Sequence, residues 1–250
     1  MPIRAVTIDF HNTLAWCDRW FALEVRELVP EVLLALGPGR GVNVDGALLD
    51  AARREYRTLR EAIIASGDER VALDGTMATL EALGFDFPRD QVEATIDGLM
   101  RAALEEARPM PGVIEAVRAL HGRGLRCGIV SSAVHHPFLE WTLAEFGIVE
   151  AFTSIVTSAS AGFYKSRPEI YLHAAELLAA RPSQMVHVGD SLRYDVGGAS
   201  SAGLGTVWLQ FPDRPGDGSE FVPDLTVTTL EGSAPPILGV LSSRLTGQAG

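Results

Sequence analysis

Ala5-Val6-Thr7-Ile8-Asp9-Phe10-His11-Asn12-Thr13-Leu14 is the stretch around which the rest of the chain falls into place. An apolar, β-rich run breaks off at an acid, and His, Asn and Thr follow at once. A buried parallel strand delivers a carboxylate in this way to the carboxyl edge of an open α/β sheet, where such folds bind ligands. A carboxylate at that edge can ligate a metal or attack an electrophile. It can equally cap the helix that follows. Three later stretches that fit the same site decide between these roles.

Downstream of Leu14 the alternation gives way to helical periodicity. Apolar residues at Trp20, Leu23, Val25, Leu28, Val32 and Leu36 predict a helix over 16–36 that ends in Gly37-Pro38-Gly39. Trp16 and Trp20 then fall on one face of it, with Arg19 nearby. Further helices are expected over 45–66, 68–83 and 88–107, the last opened by Pro88. Helices in succession with no strand between them suggest a small bundle. From Arg108-Pro109-Met110-Pro111-Gly112 onward, helix and strand alternate. Strands are expected at 125–130, 153–157, 185–188, 206–209 and 225–227, and helices at 113–121, 137–146, 169–179 and 194–202. This pattern predicts an α/β, Rossmann-like parallel sheet with helices on both faces, plus a small helical-bundle cap domain. The sheet body takes residues 1–14 and 109–232 and the cap is the insertion 15–108, placed where it can act as a lid. The segment 233–250 reads as a frayed C-terminal tail.

Composition narrows the function classes. The 250 residues are 47% hydrophobic and 21% charged, ordinary for a soluble globular chain. A net charge of −11 argues against nucleic acid or an anionic membrane as partner, while leaving room for a local basic pocket. Cys17 and Cys127 form no CxxC pair, so neither a disulfide framework nor a zinc site is expected. With no signal region and no spanning apolar run, the expectation is a reduced, cytoplasmic protein.

The second stretch, Cys127-Gly128-Ile129-Val130-Ser131-Ser132, is an apolar strand ending in hydroxyls that can bind a phosphate oxygen or cap a helix. In the third, Lys165 stands in a loop before a helix started by Pro168. The fourth, Val186-His187-Val188-Gly189-Asp190-Ser191-Leu192-Arg193-Tyr194-Asp195, is the most specific. A strand ends in Gly-Asp, a second Asp follows, and the glycine admits a close neighbour. Two acids at a strand edge suit a hard, oxygen-liganded cation such as Mg²⁺. His187, alternating with apolar neighbours, reads as packed rather than catalytic.

The order strand-Asp-x-x-x-Thr, strand-Ser, Lys, Gly-Asp-Ser-x-x-x-Asp resembles the haloacid dehalogenase-like hydrolase superfamily over nearly the whole chain, including the helical cap after the first motif. Lys165-Ser-Arg-Pro-Glu-Ile-Tyr171 and Gly197-Gly198-Ala199 extend the likeness. The resemblance implies an aspartyl-phosphate formed on Asp9. It implies Mg²⁺ held by Asp9, the main-chain carbonyl of His11 and Asp190. Ser131, Ser132 and Asn12 would hold phosphoryl oxygens of a small phosphorylated substrate, Lys165 would bridge nucleophile and phosphate, and Asp195 would orient Lys165 or a metal-bound water.

One position departs from the family. Typical phosphatases of this kind carry a second Asp two residues after the nucleophile, as general acid and then base; here it is His11. Histidine can do the same work, with an unperturbed pKa of about 6.5. The alternatives are a dehalogenase-type hydrolase attacking carbon, or a weak or inactive binding protein. Retained Gly189-Asp190 counts against the first, and intact Asp9, Lys165, Asp190 and Asp195 count against the second. The expectation is therefore a Mg²⁺-dependent phosphatase.

Overall fold

The computed structural model describes residues 4–211, 216 and 219–247. Strand β1 (Ala5–Ile8) is fully buried and lies at the centre of a six-stranded sheet. The sheet order is β5-β4-β1-β6-β7-β8, formed by β4 (Arg126–Ser131), β5 (Phe152–Thr157), β6 (Met185–Gly189), β7 (Gly205–Leu209) and β8 (Leu225–Val227). Every pairing is parallel, and Ile8 stands level with Ile129 on one side and Val188 on the other. The chain builds outward from β1 in one direction, then crosses over it and builds in the other. The carboxyl ends of β1, β4 and β6 therefore meet at the topological switch point, where open α/β sheets bind ligands.

Alternation along the strands gives the sheet two cores. Val6, Ile8, Cys127, Ile129, Val186 and Val188 pack toward one face, while Ala5, Val130, Val156 and Met185 pack toward the other with Ile170, Tyr171 and Ala174. This is the Rossmann-like architecture expected from the alternating pattern.

Between β1 and the rest of the sheet lie β2 (Ala15–Trp16), α1 (Asp18–Ala22), α2 (Leu28–Leu36), α3 (Gly46–Ser66), α4 (Ala72–Ala82), α5 (Arg89–Leu104) and β3 (Arg108–Pro109). The expected helix over 16–36 is corrected in two ways. Trp16 pairs with Arg108 in an antiparallel ribbon, so it is exposed, while Trp20 is buried on α1; the two do not share a face. A π-helical turn at Leu23–Glu27 then separates α1 from α2. Asp45 caps α3 by accepting from Leu48 N at 2.9 Å, and Gly67 ends it in the left-handed conformation (φ 77°). The helix expected from residue 68 starts only at Ala72. Residues 67–69 are instead drawn out by backbone hydrogen bonds from Glu69 N to Gly162 O (3.0 Å) and from Tyr164 N to Gly67 O (2.9 Å).

After β3 follow α6 (Val113–Gly122), α7 (His136–Glu145), the short α8 (Ser158–Ala161), α9 (Pro168–Leu177) and α10 (Ala199–Ser201). Of the tail 233–250 expected to fray, the described residues from Ala234 to Gly247 are helical instead. Ala234–Gly247 forms α11, with Ile237 and Val240 buried and the helix packed on α6 and β7. Cys17 and Cys127 are buried, unpaired thiols. No helix among the described residues is long and apolar enough to cross a membrane.

Candidate active site

Every residue singled out at the sheet edge, namely Asp9, His11, Asn12, Ser131, Ser132, Lys165, Asp190 and Asp195, lines one cavity of about 240 Å³. A larger cavity of about 760 Å³ lies away from these acids, beside Arg4 and Gln184.

Asp9 leaves β1 with its N–H bound to Val188 O at 2.8 Å, which fixes the carboxylate over the β1–β6 seam. The chain then turns back on itself: Leu14 N and Ala15 N both donate to Phe10 O, and Asn12 sits in the left-handed region at φ 62°. Asparagine tolerates that conformation better than most residues. Lys165 Nζ donates to Asp9 Oδ1 at 2.5 Å, and Thr13 Oγ1 lies 3.4 Å from Oδ2, so both carboxylate oxygens are oriented. The ammonium also binds Asp195, and it is itself buried.

Asp195 is held from three sides. Besides Lys165, it accepts from Ser191 N at 2.9 Å and from His187 Nε2 at 3.0 Å. Thr7 Oγ1 lies 2.9 Å from His187 Nδ1. An ionised Asp195 can only accept, so the network assigns the His187 proton to Nε2, with the Thr7 hydroxyl donating to Nδ1. His187 is thus packed, as its pattern implied, yet it belongs to the site by supporting Asp195. Gly189 makes this possible: a Cβ there would stand 2.1 Å from the Asp195 carboxyl carbon. A Cβ on Gly198 would come within 2.3 Å of the Lys165 carbonyl oxygen. The expected helix at 194–202 begins as a π-helical segment, Leu192–Gly198, and that wider turn carries Asp195.

The electrostatics are unbalanced. Asp9, Asp190 and Asp195 bring carboxylate oxygens within 4.8 Å of one another, and Lys165 is the ammonium bound among them. Burial pushes Asp9 up to about 6, against the pull of Lys165. Burial, then the Asp9 and Asp195 charges, push Asp190 up to about 8. Burial would raise Asp195 too, but Lys165 and His187 outweigh it and hold that carboxyl well below its usual range. Burial works against charge on Lys165 as well, and Asp195 and Asp9 reverse it, keeping the amine protonated. With Asp195 committed to Lys165 and His187, Asp9 and Asp190 remain as available oxygen donors. The Asn12 Oδ1 is buried beside them without a hydrogen-bond partner. Surplus negative charge and an all-oxygen donor set fit a hard divalent cation.

His11 is the residue whose surroundings the sequence did not foretell. Its ring lies flat on Phe21 (centroids 4.4 Å apart, 5° between planes), and its Nε2 is 3.6 Å from Asp18 Oδ1. Phe21, Trp20, Tyr164 and Tyr194 complete the cavity wall. None of them stands at a fixed motif position, Tyr194 being a variable one within the fourth stretch, and only position relative to the first strand could have pointed to Phe21.

A buried acid held against an ammonium at a switch point is the equipment of an α/β hydrolase. The chain belongs to the haloacid dehalogenase-like hydrolases, whose family description it matches over residues 3–203. It is 28% identical to a glyceraldehyde 3-phosphate phosphatase of Methanopyrus kandleri, over 69% of this chain and 74% of that protein. With a phosphoglycolate phosphatase of Salmonella paratyphi A it shares 30% identity, covering 84% and 82% of the two. The fold superposes on a 2-haloacid dehalogenase from Pseudomonas syringae pv. Tomato DC3000 with a TM-score of 0.67 and 20% identity, over 95% and 98% of the chains. That likeness is one of fold alone.

Proposed function

We propose that the protein is a Mg²⁺-dependent phosphomonoester hydrolase for small phosphorylated metabolites, working through an aspartyl-phosphate. The observation that carries this reading is Asp9 fixed by Lys165 in the same cavity as Asp190. Asp9, the His11 main-chain carbonyl and Asp190 would hold the ion, which when bound neutralises phosphoryl charge as it transfers. Ser131, Ser132 and Asn12 bind phosphoryl oxygens, and Lys165 draws the nucleophile and the phosphate together against their mutual repulsion. An Asp9 oxygen attacks phosphorus, the bond to the leaving oxygen breaks, and protonated His11 gives that oxygen a proton. Water then attacks the aspartyl-phosphate while His11 takes its proton back, and phosphate and free Asp9 result. The helices between β2 and β3 act as a cap that selects the substrate and excludes water.

The test is phosphate release from an aryl phosphate and a panel of phosphorylated metabolites, with and without Mg²⁺, against an Asp9→Asn blank. Metal-dependent release above that blank supports the reading. Metal-independent halide release from a haloacid, with no phosphate release, would replace it by attack on carbon.

Two further results are expected. His11→Asp should preserve or raise turnover of alkyl phosphates, whose leaving groups need an acid; steady-state rates on alkyl and aryl substrates check this. Mg²⁺ should raise the melting temperature more at pH 8 than at about pH 5.5. The sign follows from the carboxyls: Asp9 at about 6 and Asp190 at about 8 lie above their ordinary 3.8. Each therefore increasingly costs the metal-free fold stability as pH rises above that ordinary value, up to its raised one. At pH 8 Asp9 is ionised and Asp190 about half ionised, ready to bind an ion. Near pH 5.5 both must first lose protons. Melting curves with and without Mg²⁺ at the two pH values decide it.

A further inference from the structure

A second cavity, of about 260 Å³, adjoins the catalytic one and shares Phe21, Ser132 and Tyr164 with it as common wall. Its other wall comes from α3 and the π-helical turn, and it carries arginines in a chain whose net charge is −11. Arg53, Arg57 and Arg60 lie along one side of α3, spaced by four and then three residues. The two outer ones are spent: Arg53 is held by Glu27 and Asp50, and Arg60 is clamped by both oxygens of Glu69; Arg26, which lines the cavity from the π-helical turn, is paired with Glu27 at 3.3 Å. Arg57, between them, makes no ion pair among the described residues, although Glu61 follows one turn later. The other acid in the wall, Glu24, is buried and accepts from Val134 N at 2.7 Å. Burial pushes its carboxyl up to about 8, so it adds little negative charge to the cavity at neutral pH.

We infer that this cavity receives the leaving group of the substrate, and that Arg57 selects leaving groups bearing a carboxylate. The inference rests on the phosphatase reading of the adjoining site. A substrate whose phosphoryl group sits at Ser131 and Lys165 can extend past Phe21 and Ser132 only into this space or toward solvent. One uncommitted guanidinium matches one carboxylate in charge, and its planar fork matches it in shape. A second phosphate dianion would need more positive charge than Arg57 alone supplies. Arg57 is thus a specificity-determining residue, on the cap side of the substrate and away from the reacting atoms.

The experiment measures binding of unhydrolysable probes by calorimetry in Mg²⁺ buffer: methylphosphonate, phosphonoacetate and 3-phosphonopropionate, the last two differing in carboxylate reach. The wild-type protein should bind at least one carboxylated probe about tenfold more tightly than methylphosphonate, and Arg57→Ala should erase that preference. Arg57 is exposed, so the variant folds, and Arg53→Ala on the preceding turn should keep the preference. Equal binding of all three probes by the wild type, or a preference that survives Arg57→Ala, overturns the inference. If no probe binds, it is overturned as well. Release of phosphate from the aryl phosphate then tells whether the phosphatase reading has failed with it or stands alone.

Discussion

Asp9→Asn is expected to lower phosphate release by roughly four orders of magnitude or more, because the amide cannot form the covalent intermediate on which both half-reactions depend. The loss should come without loss of fold. Asp9 is raised to about 6 because burial and the neighbouring Asp195 charge disfavour its ionised form. A carboxyl raised in this way costs stability at pH 8, so the asparagine variant should melt no lower than the parent there in the absence of metal. Phosphate assays and paired melts separate the two effects. A variant that releases phosphate at a tenth of the parent rate, or faster, would remove Asp9 from the nucleophile's role.

Lys165→Met is expected to fail differently, in stability as well as activity. The lysine is the cation that ties Asp9 to Asp195 inside the protein, with both partners buried. Removing one member of a buried ion pair strands the other, at a cost of about 3–5 kcal/mol. Here two carboxylates are stranded. The deficit has a pH signature. Without Lys165 the Asp195 carboxyl loses the main influence that holds it low, so the variant's penalty belongs to ionised acids and should shrink as the pH falls toward the ordinary carboxylate range. Denaturant unfolding of both proteins at neutral and acid pH measures this. A deficit that is the same at both pH values would mean that packing of the lysine stem, rather than its charge, matters there.

Much of this site was legible because its chemistry sits where strands end. An acid after an apolar run, hydroxyls after a second and Gly-Asp after a third can be placed on a parallel sheet without coordinates, and the sheet has them side by side. The supporting residues were not legible, for physical reasons. His187 lies in the middle of a strand, where alternation reports only that a side chain is buried, and its bond to Asp195 depends on a contact across the sheet edge. Trp16 shares the apolar spacing of the helix beyond it, yet two rungs of antiparallel pairing hold it in a ribbon. The π-helical turns at 23–27 and 192–198 leave almost the same periodic trace as α-helix. The C-terminal helix was hidden by the small, polar composition from Gly232 onward, whereas Pro235-Pro236 stand in its first turn, where proline is well suited. The contacts of His11 with Phe21 and Asp18 belong to a fold-back that no spacing rule encodes.

The ribbon of Ala15–Trp16 with Arg108–Pro109 brings the exit and the return of the helical block onto neighbouring rungs. Met110 N, just beyond it, donates to Leu14 O at 3.0 Å, so the two crossings are stitched together beside the sheet. A block entered and left through one doorway is a cassette: its length and helix count can change without moving a single register position in the sheet. What cannot change freely is the seal. Trp20, from the block, stacks on Phe138 (5.2 Å) and meets Phe10 edge-on (5.4 Å), and both of these partners belong to the sheet body. A transplanted block would therefore have to bring its own large aromatic to that spot. With the block selecting the substrate as proposed, new substrate ranges would come from exchanging the whole module, while the acids and the lysine beneath it stay in place.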